Sequence, residues 1–255
     1  MKTLVQIFFK CFLVFFMMFC CIALLSEQSR IEIRNDFYMM LLGNRNIDEQ
    51  IVSVQAQTLE PKPYRIYLYN THQSEEYIDG MTIKEVTNIF AQMLRSEGFE
   101  VVFETADFLE QLHLLNKQYN QLYTISRVYL QEALIYHGPF DLIVDVHRDS
   151  TSRSVSVIEQ DGVEYARLMF VVGEKSANAA GVRQLSQTYT DKMNQAFPGI
   201  MREPFSRQSQ YNQDVSDNML LLEVGSDQNT SSEALRSLRI LVDVLKREGY
   251  SYGGF

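Results

Sequence analysis

Hydrophobic positions follow one rule in the first 25 residues and another beyond Pro63. Leu4 to Leu25 (LVQIFFKCFLVFFMMFCCIALL) is an apolar run of 22 residues with Lys10 as its one charge. Residues 26 to about 60 are mostly polar, their apolar positions lack a period, and Pro61-Lys62-Pro63 stops any helix. From Tyr64 onward, short apolar runs alternate with helical spacing. Arg65–Tyr69 (RIYLY) predicts a strand. Thr82-Ile83-Lys84-Glu85 is a capping box, and Val86, Ile89, Phe90, Met93 and Leu94 then recur at helical spacing until Gly98 provides a C-terminal stop. Phe99–Phe103 (FEVVF) reads as the next strand and Asp107 to about His137 as mostly helical. Asp141–Val146 (DLIVDV) and Asn218–Val224 (NMLLLEV) are nearly continuous apolar runs, as buried central strands require. Glu164–Val172 (EYARLMFVV) is a further strand, and a helix from about Asn178 to Ala196 ends before Pro198-Gly199. A second capping box, Thr230 to Glu233, opens a last helix with Leu238, Leu241, Val242 and Leu245 on one face.

This alternation predicts an α/β fold, a twisted mixed or mostly parallel sheet with helices on both faces. Chemistry is then expected at the carboxyl ends of the strands. The chain divides into 1–25, a cytoplasmic tip and transmembrane anchor; 26–63, a stalk or linker; and 64–255, a folded domain.

At about 1.5 Å per residue the 22 apolar residues cross a hydrocarbon layer of about 30 Å. Lys2 and Lys10 place the N-terminus in the cytoplasm, so the remainder lies outside the cell membrane as a single-pass protein. The end of the run, ALLSEQ, lacks the small-x-small pattern of a cleaved signal, and Phe precedes Cys20 where a lipoprotein site would need otherwise. Both readings export the domain. The three cysteines all fall within this run, so the domain has neither disulfides nor thiolate ligands, and any metal there is held by His, Asp or Glu. A net charge of −9 without a Lys/Arg-rich run counts against a nucleic-acid partner.

Three polar groups fall where the strands should end. The first strand leads into His72, Gln73, Ser74, Glu75 and Glu76. The central strand leads into His147, Arg148 and Asp149, and the late strand carries Glu223. Two imidazoles and a carboxylate suit a zinc ion that keeps one position open, and a further carboxylate can act as its base. His113, in a polar helical stretch, and His137, before Gly138-Pro139, read as structural.

Four segments in order carry a resemblance. Asn70-Thr71-His72-Gln73-Ser74-Glu75-Glu76-Tyr77 resembles a THxxESY motif, and Asp145-Val146-His147-Arg148-Asp149 a DIHRD motif. Tyr211-Asn212-Gln213-Asp214 resembles YNQD. Leu222-Glu223-Val224-Gly225, with Asn229-Thr230 and Glu233-Ala234 beyond, resembles an LIEVG…NTxEEA ending. These are motifs of the stage II sporulation protein P family, and the likeness runs from about Tyr64 to Gly249. Tyr123, Ser126 and Arg127 resemble a further family segment, although a helix surface explains them equally well.

The resemblance implies a membrane-anchored peptidoglycan hydrolase of endospore-forming bacteria, similar to zinc N-acetylmuramoyl-L-alanine amidases. Its implied reaction cleaves the amide between the lactyl group of muramic acid and L-alanine, with peptide crosslinks as a second target. It further implies stage II sporulation proteins D and M as partners, and the intermembrane space of an engulfing cell as the location. By the same carry-over His72 and His147 are zinc ligands, Glu75 is the third, and Glu223 is the general base and then acid. Arg148 either stabilises the oxyanion or pairs with Asp149. Glu76 stands where the motif has Ser and so competes with Glu75. Glu85 is a second rival, because the wider amidase group takes its acidic ligand from the start of a helix, although the capping box already accounts for it. The competing readings are a non-catalytic wall-binding relative and an endopeptidase acting on crosslinks only.

Overall fold

The computed structural model describes residues 63–252. The expected anchor and almost all of the expected stalk lie outside them. Among the described residues no helix is long and apolar enough to cross a membrane.

The elements run in the order β1 (Arg65–Tyr69), α1 (Ile83–Ser96), β2 (Glu100–Phe103), α2 (Phe108–Leu114), α3 (Leu122–His137), β3 (Leu142–Asp149), α4 (Arg153–Ser156), β4 (Val157–Gln160), β5 (Val163–Ala166), β6 (Leu168–Gly173), α5 (Ala179–Ala196), β7 (Phe205–Arg207), β8 (Met219–Ser226) and α6 (Ser231–Tyr252). Six strands form one sheet in the order β2-β1-β3-β8-β6-β7. The pairs β2/β1, β1/β3, β3/β8 and β6/β7 are parallel, and β6 runs antiparallel to β8. The expected mostly parallel, mixed α/β sheet with helices on both faces is the architecture observed.

Strand alternation divides the side chains between two faces. Ile66 and Leu68 of β1, Leu142, Val144 and Val146 of β3, and Leu220, Leu222 and Val224 of β8 meet α1, α5 and α6 in the larger core. On the opposite face Tyr67, Tyr69 and Ile143 pack against Phe108 and Leu112 of α2 and Leu122, Ile125 and Leu130 of α3. These two helices cover only the β2-β1-β3 half. Over β8 and β6, Met169, Val171 and Leu221 form a small separate cluster beneath Tyr211.

Both expected capping boxes are present. Thr82 and Glu85 exchange bonds at the start of α1, and Thr230 and Glu233 do so before α6. Two expected elements are divided. The helical stretch from Asp107 to His137 breaks after α2, where Asn116 takes a positive φ and a short 3-10 turn, Tyr119–Gln121, precedes α3. The run Glu164–Val172 splits at Arg167. β5 joins β4 in a separate antiparallel hairpin whose turn is Asp161-Gly162, both at positive φ, while β6 joins the main sheet. The three residues of β7 are all exposed and carry no alternation, so nothing in their pattern predicts a strand.

Gly225 adjusts the register at the rim. His147 lies opposite Glu223, yet Asp149 lies opposite Ser226, so β8 carries one extra residue there. Gly225 has φ +66, and a Cβ would sit 2.7 Å from Asn229 Oδ1 and 2.8 Å from Ala166 Cβ. A side chain at this bulge would be both strained and blocked.

Candidate metal centre and cleft

The centre begins where β1 runs out. Asn70 Nδ2 donates to Val146 O and to Thr87 Oγ1, tying the turn to β3 and α1. The next residue, Thr71, donates its N–H to Asp145 Oδ1 and its hydroxyl to Asp145 Oδ2. The turn then brings His72 Nδ1 to 3.3 Å from Glu75 Oε1. From β3, His147 Nδ1 lies 3.6 Å from Glu75 Oε2, which also accepts the Arg148 N–H at 3.1 Å. On the other side of the ring, His147 Nε2 is 2.9 Å from Asp145 Oδ1. Asp145 and His147 share one face of β3 by the strand period of two, and both are buried.

One ligand atom each from His72, Glu75 and His147 lies within 4.8 Å of the other two. A tetrahedral ion with bonds of about 2.0–2.2 Å separates its donors by about 3.5 Å, so this nitrogen-nitrogen-oxygen set fits zinc. Asp145 behind the His147 ring has the position of a carboxylate that orients a histidine ligand. The sequence reading assigned Asp145 no role; its parity with His147 on an apolar strand was the available signal.

Glu223 completes the arrangement as the cross-strand partner of His147. Its Oε2 is shut off from solvent and has no hydrogen-bond partner among the protein atoms. Burial raises its pKa to about 7; His147 acts against this, while Glu75, Asp149 and Asp145 add to it. For Glu75 burial also favours the protonated form, but hydrogen bonding to His147 and His72 outweighs it and holds the carboxyl well below the usual range. For His147 burial favours the neutral ring, and the charges and hydrogen bonds of Asp145 and Glu75 outweigh it, raising the pKa.

The two rival acidic residues sit elsewhere. Glu76 is exposed and contributes its backbone oxygen to Arg148 Nε. Glu85 is exposed in its capping box with Thr82. Arg148 departs from expectation. Its side chain follows the parity of Val146, opposite to His147, and its guanidinium donates to the backbone oxygens of Glu76 and Asp149 rather than to the Asp149 carboxylate. It therefore braces the His72–Glu76 turn from behind. The Asp149 carboxylate pairs instead with Arg202 at 2.7 Å. His113 and His137 are exposed in the last turns of α2 and α3.

A cleft of about 670 Å³ opens from this centre. Met169, Val171 and Leu221 are its floor, Tyr123 and Tyr211 stand on one side, and Arg202, Phe205 and Arg207 on the other. Tyr123 stacks on the His147 ring, and Tyr119 on His72. The segment Tyr211–Asp214 is firmly held. Tyr211 and Asn212 take positive φ, Asn212 Nδ2 donates to Ser126 Oγ and Tyr123 O, and Asp214 pairs with Arg127. Gln213 accepts from Gly173 N and donates to Val171 O, acting as a strand partner for β6. Tyr123, Ser126 and Arg127 are thus joined to the site, and the helix-surface reading does not describe them. The sequence reading did not identify Arg202, Phe205 or Arg207.

The sequence model described as Stage II sporulation protein P (SpoIIP) matches residues 27–246. Stage II sporulation protein P of Bacillus subtilis (strain 168) is 30% identical over 220 residues, covering 77% of this chain and 55% of the relative. The chain thus spans about half the length of that curated relative. Among solved structures, the CwlD amidase from Clostridioides difficile, determined in complex with the GerS lipoprotein, aligns with a TM-score of 0.50 at 12% identity, covering 74% of this chain and 98% of that one. The catalytic domain of CwlV, an N-acetylmuramoyl-L-alanine amidase from Bacillus (Paenibacillus) polymyxa var. colistinus, aligns with a TM-score of 0.42 at 13% identity, covering 72% of this chain and 97% of that one. At 12% identity, what the CwlD structure shares with this chain is the fold.

Proposed function

The chain belongs to the stage II sporulation protein P family, and on that premise we propose that it is a membrane-anchored, zinc-dependent N-acetylmuramoyl-L-alanine amidase acting on peptidoglycan in sporulation. One observation carries the reading: His72, Glu75 and His147 offer three ligand atoms within 4.8 Å of one another, with Glu223 beside them as the cross-strand partner of His147. When bound there, zinc supplies Lewis acidity and lowers the pKa of a water molecule.

This chain's own residues do the rest. Glu223, with a pKa of about 7, takes a proton from the attacking water and returns it to the leaving amine at neutral pH. The Asp145 carboxylate lies 2.9 Å behind the His147 ring as its charge partner, and Thr71 fixes Asp145. Arg148 holds the Glu75–Glu76 turn through Glu76 O and through its own N–H to Glu75. The Met169, Val171 and Leu221 floor with the Tyr123 and Tyr211 wall gives the substrate a half-apolar bed at the rim of the sheet. The apolar run Leu4–Leu25 supports anchoring with the domain outside the cell membrane. Stage II sporulation proteins D and M are the partners that the family suggests.

The test uses the purified full chain in detergent. It should hold about one zinc per chain and release fragments with free lactyl groups from peptidoglycan sacculi. His147→Ala should lose both zinc and activity. Zinc-loaded protein that leaves sacculi as intact as Glu223→Gln does would sink the reading. Products with new amines only within the stem peptide would make it an endopeptidase.

A further inference from the structure

The walls of the cleft differ in chemistry. The wall nearest α3 is aromatic, with Tyr123 and Tyr211, and the wall at the β7 edge is cationic, with Arg202 and Arg207. In a chain of net charge −9, and in a cleft that also holds Glu75, Asp149 and Glu223, the positive charge is gathered on this one wall.

Both arginines are placed from behind. Arg202 donates its backbone N–H to Leu168 O, and its guanidinium bonds Asp149 Oδ2 at 2.7 Å, while Asp149 Oδ1 accepts from Ser150 N. Arg207 is held in β7 by its pairing with Gly173, and its guanidinium lies 4.5 Å over the Phe205 ring. No ion pair among the described residues joins Arg207 to a carboxylate. Two guanidiniums therefore line this wall, with Asp149 pairing to Arg202, while the other carboxylates of the cleft, Glu75 and Glu223, belong to the centre. Stacking on Phe205 pre-sets the Arg207 fork, so less freedom is lost when an anion binds.

We propose that Arg202 and Arg207 form a subsite for a carboxylate of the peptidoglycan stem peptide, a proposal that rests on the amidase reading. The sugar chain offers hydroxyl and N-acetyl groups, and the free carboxylates belong to the peptide. With the scissile amide beside Glu223, the peptide runs toward β7 and the sugar toward the tyrosine wall. Arg207 makes the bidentate contact, and Arg202, held by Asp149, supports it.

The experiment measures binding without turnover. The full chain carrying Glu223→Gln, zinc-loaded in detergent, is titrated calorimetrically with a muramyl tripeptide bearing free carboxylates and with its fully amidated counterpart. The acid should bind about tenfold tighter, the effect of one charge-assisted contact. Arg207→Gln in the same background should bring the ratio close to one, and Arg202→Gln should reduce it. Equal binding of the two peptides, or a preference that survives both arginine changes, overturns the subsite. Sacculus digestion by the unaltered chain is scored separately. An Arg207-dependent preference in a chain that cuts no sacculi removes the amidase and keeps the subsite.

Discussion

The two faces of the central sheet come from the same strands, but they differ in cover. The face formed by Leu68, Val144, Leu222 and Phe170 is closed by α1, α5 and α6 into one continuous apolar core. The opposite face is closed by α2 and α3 over β2, β1 and β3 only, and stays open over β8 and β6. His147 and Glu223 sit at the border, on strands whose central position fixes them and whose rim is left uncovered. The difference shows how one sheet can carry a closed core on one face and an open cleft on the other. The closed face supplies the burial energy, and the half-open face keeps polar groups such as Glu223 Oε2 without protein partners.

The comparison can be broken most directly at Glu223. Glu223→Gln should lower sacculus hydrolysis by about 10²–10⁴-fold, the usual range for a lost general base. In the unaltered, zinc-loaded chain the rate should rise with pH to a plateau reached below the metal-free value of about 7, because the base acts ionised and a nearby cation favours that form. Stability should move the other way. The folded-state pKa of about 7 exceeds the ordinary value of 4.5, so the metal-free domain binds this proton more tightly when folded and loses stability as pH climbs from 4.5 through 7. Glu223→Gln should therefore stabilise the metal-free protein at pH 8, on the order of 1–3 kcal/mol, by denaturant titration. A variant equally active, or less stable at that pH, contradicts the assignment.

The closed face should give the mirror result. Phe90 is 1% exposed in the larger core. Phe90→Ala should cost about 3–5 kcal/mol of stability while zinc content per folded molecule stays unchanged. Loss of zinc from protein that is still folded would show that the two faces are not separable.

Asp145 sharpens the border between them. Asp145→Asn keeps the shape but removes the charge behind His147, and zinc affinity should fall about 10–100-fold in chelator competition. Unchanged affinity would leave Asp145 as a simple anchor for Thr71.

The smallest effect belongs to the open side. Arg127 holds the Asp214 carboxyl down at about 2, below its ordinary 3.8. A lowered acid stabilises the fold above 3.8, and that contribution disappears as pH falls through about 2. The pair is part-exposed, so the loss should be under about 1 kcal/mol. It is measurable as a shallower acid limb of stability in Asp214→Asn; an identical limb removes the pair from the ledger.

Particular residues show how far the sequence reached. Val86, Phe90 and Leu94 announced α1 through their period, and Thr82 and Glu85 its start, because a capping box is closed within four residues. The motifs around His72, His147 and Glu223 were legible as strand ends. Arg167 was not legible as a break, since the apolar run continues through it and only the change from hairpin to main sheet separates β5 from β6. Arg202 and Arg207 were invisible because β7 has three exposed residues and its place depends on pairing with a strand more than thirty positions earlier.

By itself, then, the sequence determined the α/β alternation, the caps, the exported apolar run as an expectation, and the two histidines and Glu223 as strand-end groups. All of these follow from local periodicity or short spacing. The motif resemblance ranked Glu75 ahead of Glu76 and Glu85; tertiary structure brought its carboxylate between the two imidazoles, turned Arg148 behind them and put Arg202 in its place beside Asp149. Those outcomes depend on which face a side chain meets and on a register that shifts at Gly225, and both are fixed only when distant strands pair.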